Sequence, residues 1–253
     1  MPDDSLLRRS LRRSGVLDWI RTAIDRYNRI YRSPPYDPPT DHREFRAVRR
    51  HSQEPTDISD HLERLFVEAM QASPDTIVEC GVRSGESTFV FERVARLTDA
   101  DVVSVDIEAT SYTTDYDGWQ FVNADDVDFA AEFGSWCDEN DVDPAIDVLF
   151  VDTSHRYEHT LAEIEAWFPH LSENAVVLFH DTNMQRFYRR KDRTRGLSPI
   201  ADRGVIRAIE DHFDCDLDET ESFVTVLDDF VFEQYPYCSG LAVLRKLGST
   251  AAP

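Results

Sequence analysis

Long hydrophobic runs are missing from this 253-residue sequence, so no membrane-spanning helix is predicted. The N-terminus has arginines but no apolar block before a small-residue cleavage site, so no secretory signal is predicted. Cysteine is scarce and scattered, at Cys80, Cys137, Cys215 and Cys238, with no CxxC spacing. This spacing argues against a zinc ribbon and a disulfide framework. We therefore expect a globular protein in a reducing cytoplasm.

Lysine is almost absent, since Lys191 and Lys246 are the only two and arginine supplies the other cations. Acidic residues outnumber basic ones by 49 to 27, which gives a formal net charge of −22. Such an excess argues against nucleic-acid binding, which requires a broad basic surface. An Asp-rich, lysine-poor surface is typical of extreme halophiles, whose high salt screens the self-repulsion. An acidic protein from a GC-rich genome is the alternative.

The positive charge is concentrated in two islands, residues 1–50 and 182–203, each with a local net charge of +5. In the first island, a short basic amphipathic stretch at 5–13 precedes a predicted helix, and a Pro-rich linker at 33–40 follows it. The helix is predicted from apolar residues at steps of three and four: Leu17, Ile20, Ile24, Tyr27 and Tyr31. It could contact an anionic membrane as a peripheral anchor at the inner face. Alternatively, it packs on the domain or on a second subunit of a homo-oligomer.

From residue 57 onwards, helical segments alternate with short apolar strands, a pattern that predicts βαβ units and a parallel sheet. The predicted strands are 76–80, 101–107, 119–124, 146–152 and 175–181, followed by a final pair at 223–227 and 240–246. The expected organisation is a basic helical extension with its linker at 1–56, an α/β domain at 57–247 and a tail at 248–253. Ligands of such sheets bind beyond the carboxyl ends of the strands.

A glycine-containing turn follows the first predicted strand. Gly81 and Gly85 allow a tight turn and a close approach of the backbone to a ligand. Arg83 and Glu86 occupy the second and third glycine positions of a dinucleotide fingerprint, so NAD is disfavoured. Asp106 ends the second strand and could bind both hydroxyls of a ribose. The turn and this acid together predict a nucleoside ligand.

Two acids follow the third predicted strand. Asp125 or Asp126 could contact an adenine amino group. Either could equally cap the helix that begins there, and the sequence leaves both roles open.

The fourth and fifth predicted strands each end in a carboxylate, Asp152 and Asp181. These two side chains, with the amide oxygen of Asn183, would form a hard-cation site for Mg²⁺ or Mn²⁺. His155 lies three residues after Asp152 and is a candidate general base near neutral pH. The alternative is that the aspartates cap helices and the histidines line the cleft.

These motifs resemble those of class I S-adenosylmethionine-dependent methyltransferases. The similarity is to the branch labelled methyltransferase 24 or cephalosporin-hydroxylase-like, which includes metal-dependent sugar O-methyltransferases. It covers about two-thirds of the chain and is carried by the following residues: 79–88, Asp106, 150–157, 167–171, 179–181, 204–205 and 240–243. The resemblance implies a Rossmann-like sandwich with helices on both faces of a mostly parallel, seven-stranded sheet of order 3-2-1-4-5-7-6.

The resemblance also implies roles for single residues. The cofactor S-adenosylmethionine would be bound by Glu79, Gly81, Arg83, Gly85, Ser87, Asp106, Ile107 and Asp125. Asp152, Asp181 and Asn183 would hold a divalent metal, Mg²⁺ or Mn²⁺, and His155 with Asp152 would be catalytic. The methyl acceptor would be a hydroxyl of a sugar or glycan. Two departures from the family pattern are Thr153, where a glycine is frequent, and residues 172–175, which replace a Pro-Gly-Gly turn.

The second basic island follows the proposed metal ligands directly and is expected to form a loop over the site. Arg189 and Arg190 could clamp a carboxylate or phosphate of the acceptor, such as a uronic acid or a lipid-linked saccharide. Alternatively, these arginines pair with acids of the protein itself.

Two other functions compete with the methyltransferase. One is a non-haem iron oxygenase that uses His155, His180 and a carboxylate. The other is a non-catalytic cofactor-binding protein of a glycan assembly complex.

Overall fold

A computed structural model of the chain describes residues 15–33, 42–198 and 200–248. The basic stretch 5–13, most of the Pro-rich segment and most of the tail lie outside these residues. The domain boundaries predicted from the sequence therefore stay predictions.

A mixed sheet of eight strands forms the centre of the fold. The strands of the structure are β1 (Thr76–Cys80), β2 (Asp101–Asp106), β3 (Trp119–Asn123), β4 (Ile146–Val151), β5 (Leu171–His180), β6 (Phe187–Arg189), β7 (Arg195–Leu197), β8 (Phe223–Leu227), β9 (Phe230–Tyr235) and β10 (Leu241–Lys246). The sheet has the order β3-β2-β1-β4-β5-β10-β9-β8, and β6 and β7 pair separately as a hairpin. The first five strands of this order are parallel, and the last three add in antiparallel fashion. The predicted Rossmann-like α/β class is confirmed.

The strand order differs in detail from the predicted one. The segments 223–227 and 240–246 were expected to pair with each other, but β9 lies between them and pairs with both. Residues of β9 alternate between buried and half-buried, as in a strand with one face on the core. A two-residue turn joins β8 to β9, and Asp228 adopts a positive φ of 48° there. The sheet therefore has eight strands, one more than expected, and the additional strand β9 is internal.

Helices cover both faces of the sheet. They are α1 (Val16–Tyr31), α2 (Arg43–His51), α3 (Leu62–Ala72), α4 (Thr88–Thr98), α5 (Asp126–Asn140), α6 (Tyr157–Trp167) and α7 (Gly204–Phe213). On one face, where α2, α3 and α4 pack, Phe91 lies 5.5 Å from Phe150 between ring centroids. On the other face, where α5, α6 and α7 pack, Phe133 lies 5.3 Å from Trp167. Full burial of each such side chain stabilises the fold by about 2–3 kcal/mol.

The helix predicted in the first basic island is present as α1, and it contacts the β6–β7 hairpin. The side chain of Asn28 exchanges two hydrogen bonds with the backbone of Arg195, of 2.8 and 2.9 Å. Arg32 forms an ion pair of 3.0 Å with Asp192. No residue of α1 is buried, and Trp19 is 71% exposed. The helix thus packs within the chain through polar contacts, while a membrane or second-subunit contact stays a prediction.

No helix among the described residues is long and apolar enough to cross a membrane.

The register of the parallel strands determines where the site forms. Cys80 of β1 pairs with Val151 of β4, which pairs in turn with Phe179 of β5. The residues that follow these three strands therefore lie side by side at one edge of the sheet. Asp152 and Asp181 are among them, as predicted from the strand ends.

Candidate functional site at the carboxyl ends of the strands

The turn after β1 requires glycine for steric reasons. Gly81 has φ of +92°, and a Cβ placed there would collide with the backbone carbonyl of Asp152. Gly85 has φ of +86°, and the ring of Tyr112 lies directly against it. The turn thus packs against the loop after β4 and against the segment that follows β2. Tyr112 was not predicted from the sequence, because its segment has no regular pattern.

Asp106, the predicted ribose ligand, faces this turn. One carboxylate oxygen accepts hydrogen bonds from the backbone N–H groups of Val82 and Arg83, at 2.8 and 3.1 Å. The other accepts from the backbone N–H of Glu108 at 2.8 Å. A carboxylate has about four acceptor positions, so capacity remains for a ribose hydroxyl. The neighbouring Ile107 is 73% exposed and offers an apolar surface beside this acid.

Glu79 is fully buried beneath the turn, and its carboxyl group accepts three hydroxyl hydrogen bonds. Ser87 and Thr88 donate to it at 2.5 and 2.8 Å, and Ser104 donates at 2.6 Å. Burial raises the pKa of Glu79 to about 7, although the three hydroxyls oppose this shift. The predicted cofactor residues Glu79 and Ser87 therefore bond to each other, and this network supports the turn from below.

Two further predicted cofactor residues have partners in the structure. Asp125 caps α5, because its side chain accepts from the N–H groups of Val127 and Asp128 at 3.1 and 3.2 Å. The capping alternative is thus realised, and an adenine contact of Asp125 stays a prediction. Arg83 pairs with Asp57 at 3.3 Å, a partner that the sequence did not indicate.

The two predicted strand-end carboxylates meet around a histidine. We call Asp152, His155 and Asp181 the strand-end cluster. The Nε2 atom of His155 lies 3.2 Å from Oδ2 of Asp181, and its Nδ1 atom lies 3.9 Å from Oδ1 of Asp152. One ligand atom from each residue falls within 4.8 Å of the others. The side chains are between 8% and 18% exposed, so the group is shielded but reachable.

His180, predicted from the sequence as a ligand only under the oxygenase alternative, is the fourth residue in this neighbourhood. The Nδ1 atom of His180 lies 3.2 Å from Asp152 and 3.5 Å from Asp181, so this buried ring is in contact with both carboxylates. Burial alone would lower the pKa of His180, but the two carboxylates raise it well above its usual value. The ring of His61 packs edge-on at 5.6 Å. The signal available in the sequence was the position of His180 at the end of a buried strand.

Backbone strain concentrates at the same place. Of the described non-glycine residues with positive φ, most end helices or lie in hairpin turns. Two of the others are His155 and Asp181, both with φ of 58°. Such conformations cost of order 1–3 kcal/mol and persist when the surroundings enforce them. The backbone of His155 and Asp181 is therefore held by its surroundings in a conformation that these residues do not favour by themselves.

Asn183, the third predicted metal ligand, has other partners. Its amide N–H donates to the carbonyl of Pro236 at 2.9 Å, and its oxygen accepts from Gln185 at 3.1 Å. Its role as a metal ligand stays a prediction. Asn183, two residues after Asp181, lines a cavity of about 470 Å³. The second basic island borders this cavity as the β6–β7 hairpin instead of an irregular loop.

The arginines of the hairpin have different environments. Arg190 is buried and donates to the carbonyl of Thr56, to Thr194 and to Tyr188, at 2.8, 3.3 and 3.0 Å. Arg189 is exposed and lines the cavity together with Arg195. The predicted pairing of Arg189 with Arg190 as a clamp therefore does not fit, because Arg190 points into the fold.

One family model matches the part of the chain that contains these residues. Residues 78–182 match a family model described as "Methyltransferase domain". The matched segment includes the glycine turn, Asp106 and the strand-end cluster. The resemblance to methyltransferases predicted from the motifs is thus confirmed over residues 78–182.

Solved structures share the fold at low sequence identity. The MycE methyltransferase of mycinamycin biosynthesis, solved with Mg and SAH, superposes with a TM-score of 0.50 and 16% identity, covering 88% of this chain and 57% of MycE. CalS11, a TDP-rhamnose 3′-O-methyltransferase, gives a TM-score of 0.45 and 16% identity over 83% of this chain and 96% of CalS11.

A curated sequence relative is the uncharacterized protein y4gI of Sinorhizobium fredii, 46% identical over 43 residues. This match covers 17% of the present chain and 5% of y4gI. The chain thus spans a small part of this relative and little more than half of MycE.

Proposed function

We propose that the chain is an S-adenosylmethionine-dependent O-methyltransferase that acts on a hydroxyl of a sugar or glycan and uses a divalent cation. The observation that carries this proposal is the meeting of the glycine turn and the strand-end cluster at one edge of the sheet. The backbone carbonyl of Asp152 touches Gly81, so the cofactor side and the cation side of the site are adjacent. The shared fold with MycE, which was solved with Mg and SAH, supports it.

The residues present fit a divalent cation. Asp152 and Asp181 bring two carboxylates together in a shielded site, with the imidazole of His155 beside them. Carboxylate oxygens are the preferred ligands of Mg²⁺ and also suit Mn²⁺. When bound, the cation would act as a Lewis acid on the acceptor hydroxyl and lower its pKa.

His155 is the candidate general base. Its Nε2 atom lies 3.2 Å from Asp181, a contact in which Nε2–H donates to the carboxylate, so Nδ1 is the nitrogen that would accept a proton from the acceptor hydroxyl. S-adenosylmethionine supplies an electrophilic methyl group when bound. Glu79 and Asp106 fix the turn that would receive this cofactor, one from below and one from the side. Most of the rate enhancement would come from positioning.

We assign the acceptor to the cavity of about 470 Å³ that Asn183 lines, because Asn183 lies two residues after Asp181 of the strand-end cluster. Arg189 and Arg195 line it together with the aromatic residues Phe187 and Tyr237. Aromatic faces pack against sugar rings, and guanidinium groups bind carboxylates or phosphates in bidentate fashion. An anionic saccharide, such as a uronic acid or a lipid-linked phosphosaccharide, therefore suits this cavity.

Calorimetry with S-adenosylmethionine and its demethylated product tests the proposal first, with and without Mg²⁺. We expect micromolar binding of both, followed by methyl transfer from labelled cofactor to uronic-acid-containing saccharides. Neutral saccharides serve as the matched acceptor control. Failure of the folded protein to bind either cofactor form would exclude the methyltransferase and favour the iron oxygenase. Cofactor binding without turnover on any saccharide would favour a non-catalytic binding protein.

A further inference from the structure

A second group of two carboxylates and one imidazole lies between helices α5 and α6. We call Asp126, His159 and Glu163 the helix cluster. The Nε2 atom of His159 lies 3.0 Å from Oδ1 of Asp126 and 3.5 Å from Oε1 of Glu163. One ligand atom from each residue falls within 4.8 Å of the others. None of these three residues belongs to the strand-end cluster.

Both carboxylates of the helix cluster are buried and incompletely satisfied. The side chain of Asp126 is 8% exposed and that of Glu163 is 0% exposed. Among the described residues, no hydrogen-bond donor reaches Oδ2 of Asp126 or Oε2 of Glu163. A buried carboxylate oxygen without a partner is costly, since its hydration has been lost and nothing replaces it. These two oxygens therefore indicate a missing partner, which is either a cation or a proton shared between the two carboxyl groups.

The side chains present cannot supply enough positive charge by themselves. His159 offers one nitrogen to both carboxylates, and Thr153 donates one hydroxyl hydrogen bond to Glu163. When both carboxyl groups are ionised, a charged imidazole balances only one of them. We propose that Asp126, His159 and Glu163 bind a divalent transition-metal ion, at a second site that fastens α5 to α6. This proposal does not depend on the proposed methyltransferase activity.

The donor set and spacing indicate the class of metal. Ligand atoms about 2.0–2.1 Å from a tetrahedral Zn²⁺ are roughly 3.3 Å apart, close to the spacings of 3.0 and 3.5 Å found here. An imidazole nitrogen suits Zn²⁺ and its first-row neighbours, whereas Mg²⁺ prefers oxygen ligands and keeps several waters. His159 is 25% exposed, so an ion could enter past this ring and keep a water as its fourth ligand.

The position of this second site connects it to the first. Glu163 accepts a hydrogen bond from Thr153, which directly follows Asp152 of the strand-end cluster. Asp126 directly follows Asp125, the cap of α5 and a predicted cofactor residue. A metal at the helix cluster would therefore stabilise the two loops on either side of it. We expect it to contribute mainly to folding stability.

Zinc binding can be measured in a variant that lacks the carboxylates of the strand-end cluster, so that only binding at the helix cluster is measured. The full chain with Asp152→Asn and Asp181→Asn is stripped with a chelator and titrated with Zn²⁺ alone. We expect one equivalent to bind and to raise Tm by about 5–10 °C at a hundredfold excess over Kd. Adding Asp126→Asn or Glu163→Gln should weaken zinc binding at least tenfold.

Matched controls lie on the same helices. Asp128→Asn and Glu158→Gln remove the same charges at exposed positions and should leave zinc affinity unchanged. Co²⁺ in place of Zn²⁺ should give the visible absorption of a tetrahedral site, which Glu163→Gln abolishes. His159→Gln, at the exposed side of the cluster, serves as the ligand variant if Glu163→Gln does not fold. Equal zinc affinity in the parent and all ligand variants would overturn the proposal. So would a protein that binds no zinc while Glu163→Gln raises Tm, since the two carboxylates would then share a proton.

Discussion

The strand-end cluster and the helix cluster have the same composition, two carboxylates and one imidazole, but different surroundings. In the strand-end cluster, the buried ring of His180 contacts both carboxylates. The backbone of His155 and Asp181 has positive φ and is strained. In the helix cluster, no second imidazole is present among the described contacts, and one oxygen of each carboxylate lacks a donor. Its residues lie on regular helices with no positive φ.

Under the two proposals, the difference separates a site for chemistry from a site for stability. Strain and shielded access at the strand ends are tolerated where substrate must be positioned. Buried charge between two helices is tolerated only where something neutralises it. Burial, reinforced by the charge of Asp126, raises the pKa of Glu163 well above its usual value, which shows how poorly this position accepts an isolated carboxylate.

The largest expected effect is on catalysis, and it should distinguish the two clusters. Asp181→Asn should lower kcat for methyl transfer by about 10²–10³-fold, because it removes charge where the reaction needs it. Glu163→Gln should lower kcat less than tenfold in protein that is folded. Asp128→Asn, exposed on α5, is the control for the charge change. Initial rates with labelled cofactor give both values. Comparable losses in Asp181→Asn and Glu163→Gln would show that the clusters are not functionally separate.

The strand-end cluster could be predicted from the sequence and the helix cluster could not, for a physical reason. Asp152 and Asp181 each end an apolar strand, and neighbouring parallel strands bring their ends together. Asp126 and Glu163 lie on different helices, whose relative rotation depends on packing of Phe133 against Trp167. The spacing of four between His159 and Glu163 was the available signal, but it does not identify a third partner.

Two other differences have the same origin. The additional strand β9 follows a two-residue turn that the sequence indicates only weakly, since Asp228 and Asp229 are not the usual asparagine-glycine pair. The inward orientation of Arg190 depends on the alternation of the hairpin, in which Tyr188 and Arg190 are buried and Arg189 is exposed. Local sequence patterns predict where helices and strands occur. The pairing of β9 and the orientation of Arg190 depend instead on which face of a strand packs against the rest of the fold.

The next largest effect concerns stability against pH. Glu79 is a buried carboxyl that a proton neutralises, since its pKa of about 7 lies above the unfolded value of 4.5. The native state then binds more protons than the unfolded state between these values, so stability falls as pH rises through this window. The difference of about 2.5 pH units corresponds to about 3 kcal/mol at most.

Glu79→Gln should therefore flatten the pH dependence. As the pH is raised from 5 to 8, we expect the urea concentration at the unfolding midpoint to decrease more for the parent than for the variant. Glu132→Gln, exposed on α5, should follow the parent. Parallel curves for parent and Glu79→Gln would show that Glu79 is ionised in the native state. The same experiment sharpens the comparison of the clusters, because a proton-sharing helix cluster would make metal-free Glu163→Gln behave like Glu79→Gln.

The smallest expected effect concerns the β6–β7 hairpin. It tests whether a buried arginine there stabilises the fold while an exposed one contacts the substrate. Arg190→Ala removes three hydrogen bonds from a buried guanidinium and leaves the carbonyl of Thr56 without that donor. We expect it to lower the free energy of unfolding by about 2 kcal/mol. Arg189→Ala removes an exposed charge that lines the acceptor cavity, so it should leave stability nearly unchanged.

In steady-state kinetics with an anionic saccharide, we expect the opposite ranking: Arg189→Ala should have the larger effect and Arg190→Ala the smaller one. Arg189→Ala should raise KM for the acceptor about tenfold at unchanged cofactor affinity, since a charge-assisted hydrogen bond to the acceptor is lost. Folded Arg190→Ala should show a KM close to that of the parent. Arg186→Ala, exposed and outside the residues that line the cavity, controls for a general loss of positive charge. If KM rises for Arg190→Ala and not for Arg189→Ala, the buried arginine reaches the acceptor when it binds. The hairpin must in that case rearrange, and the division between supporting and substrate-binding residues would not hold there.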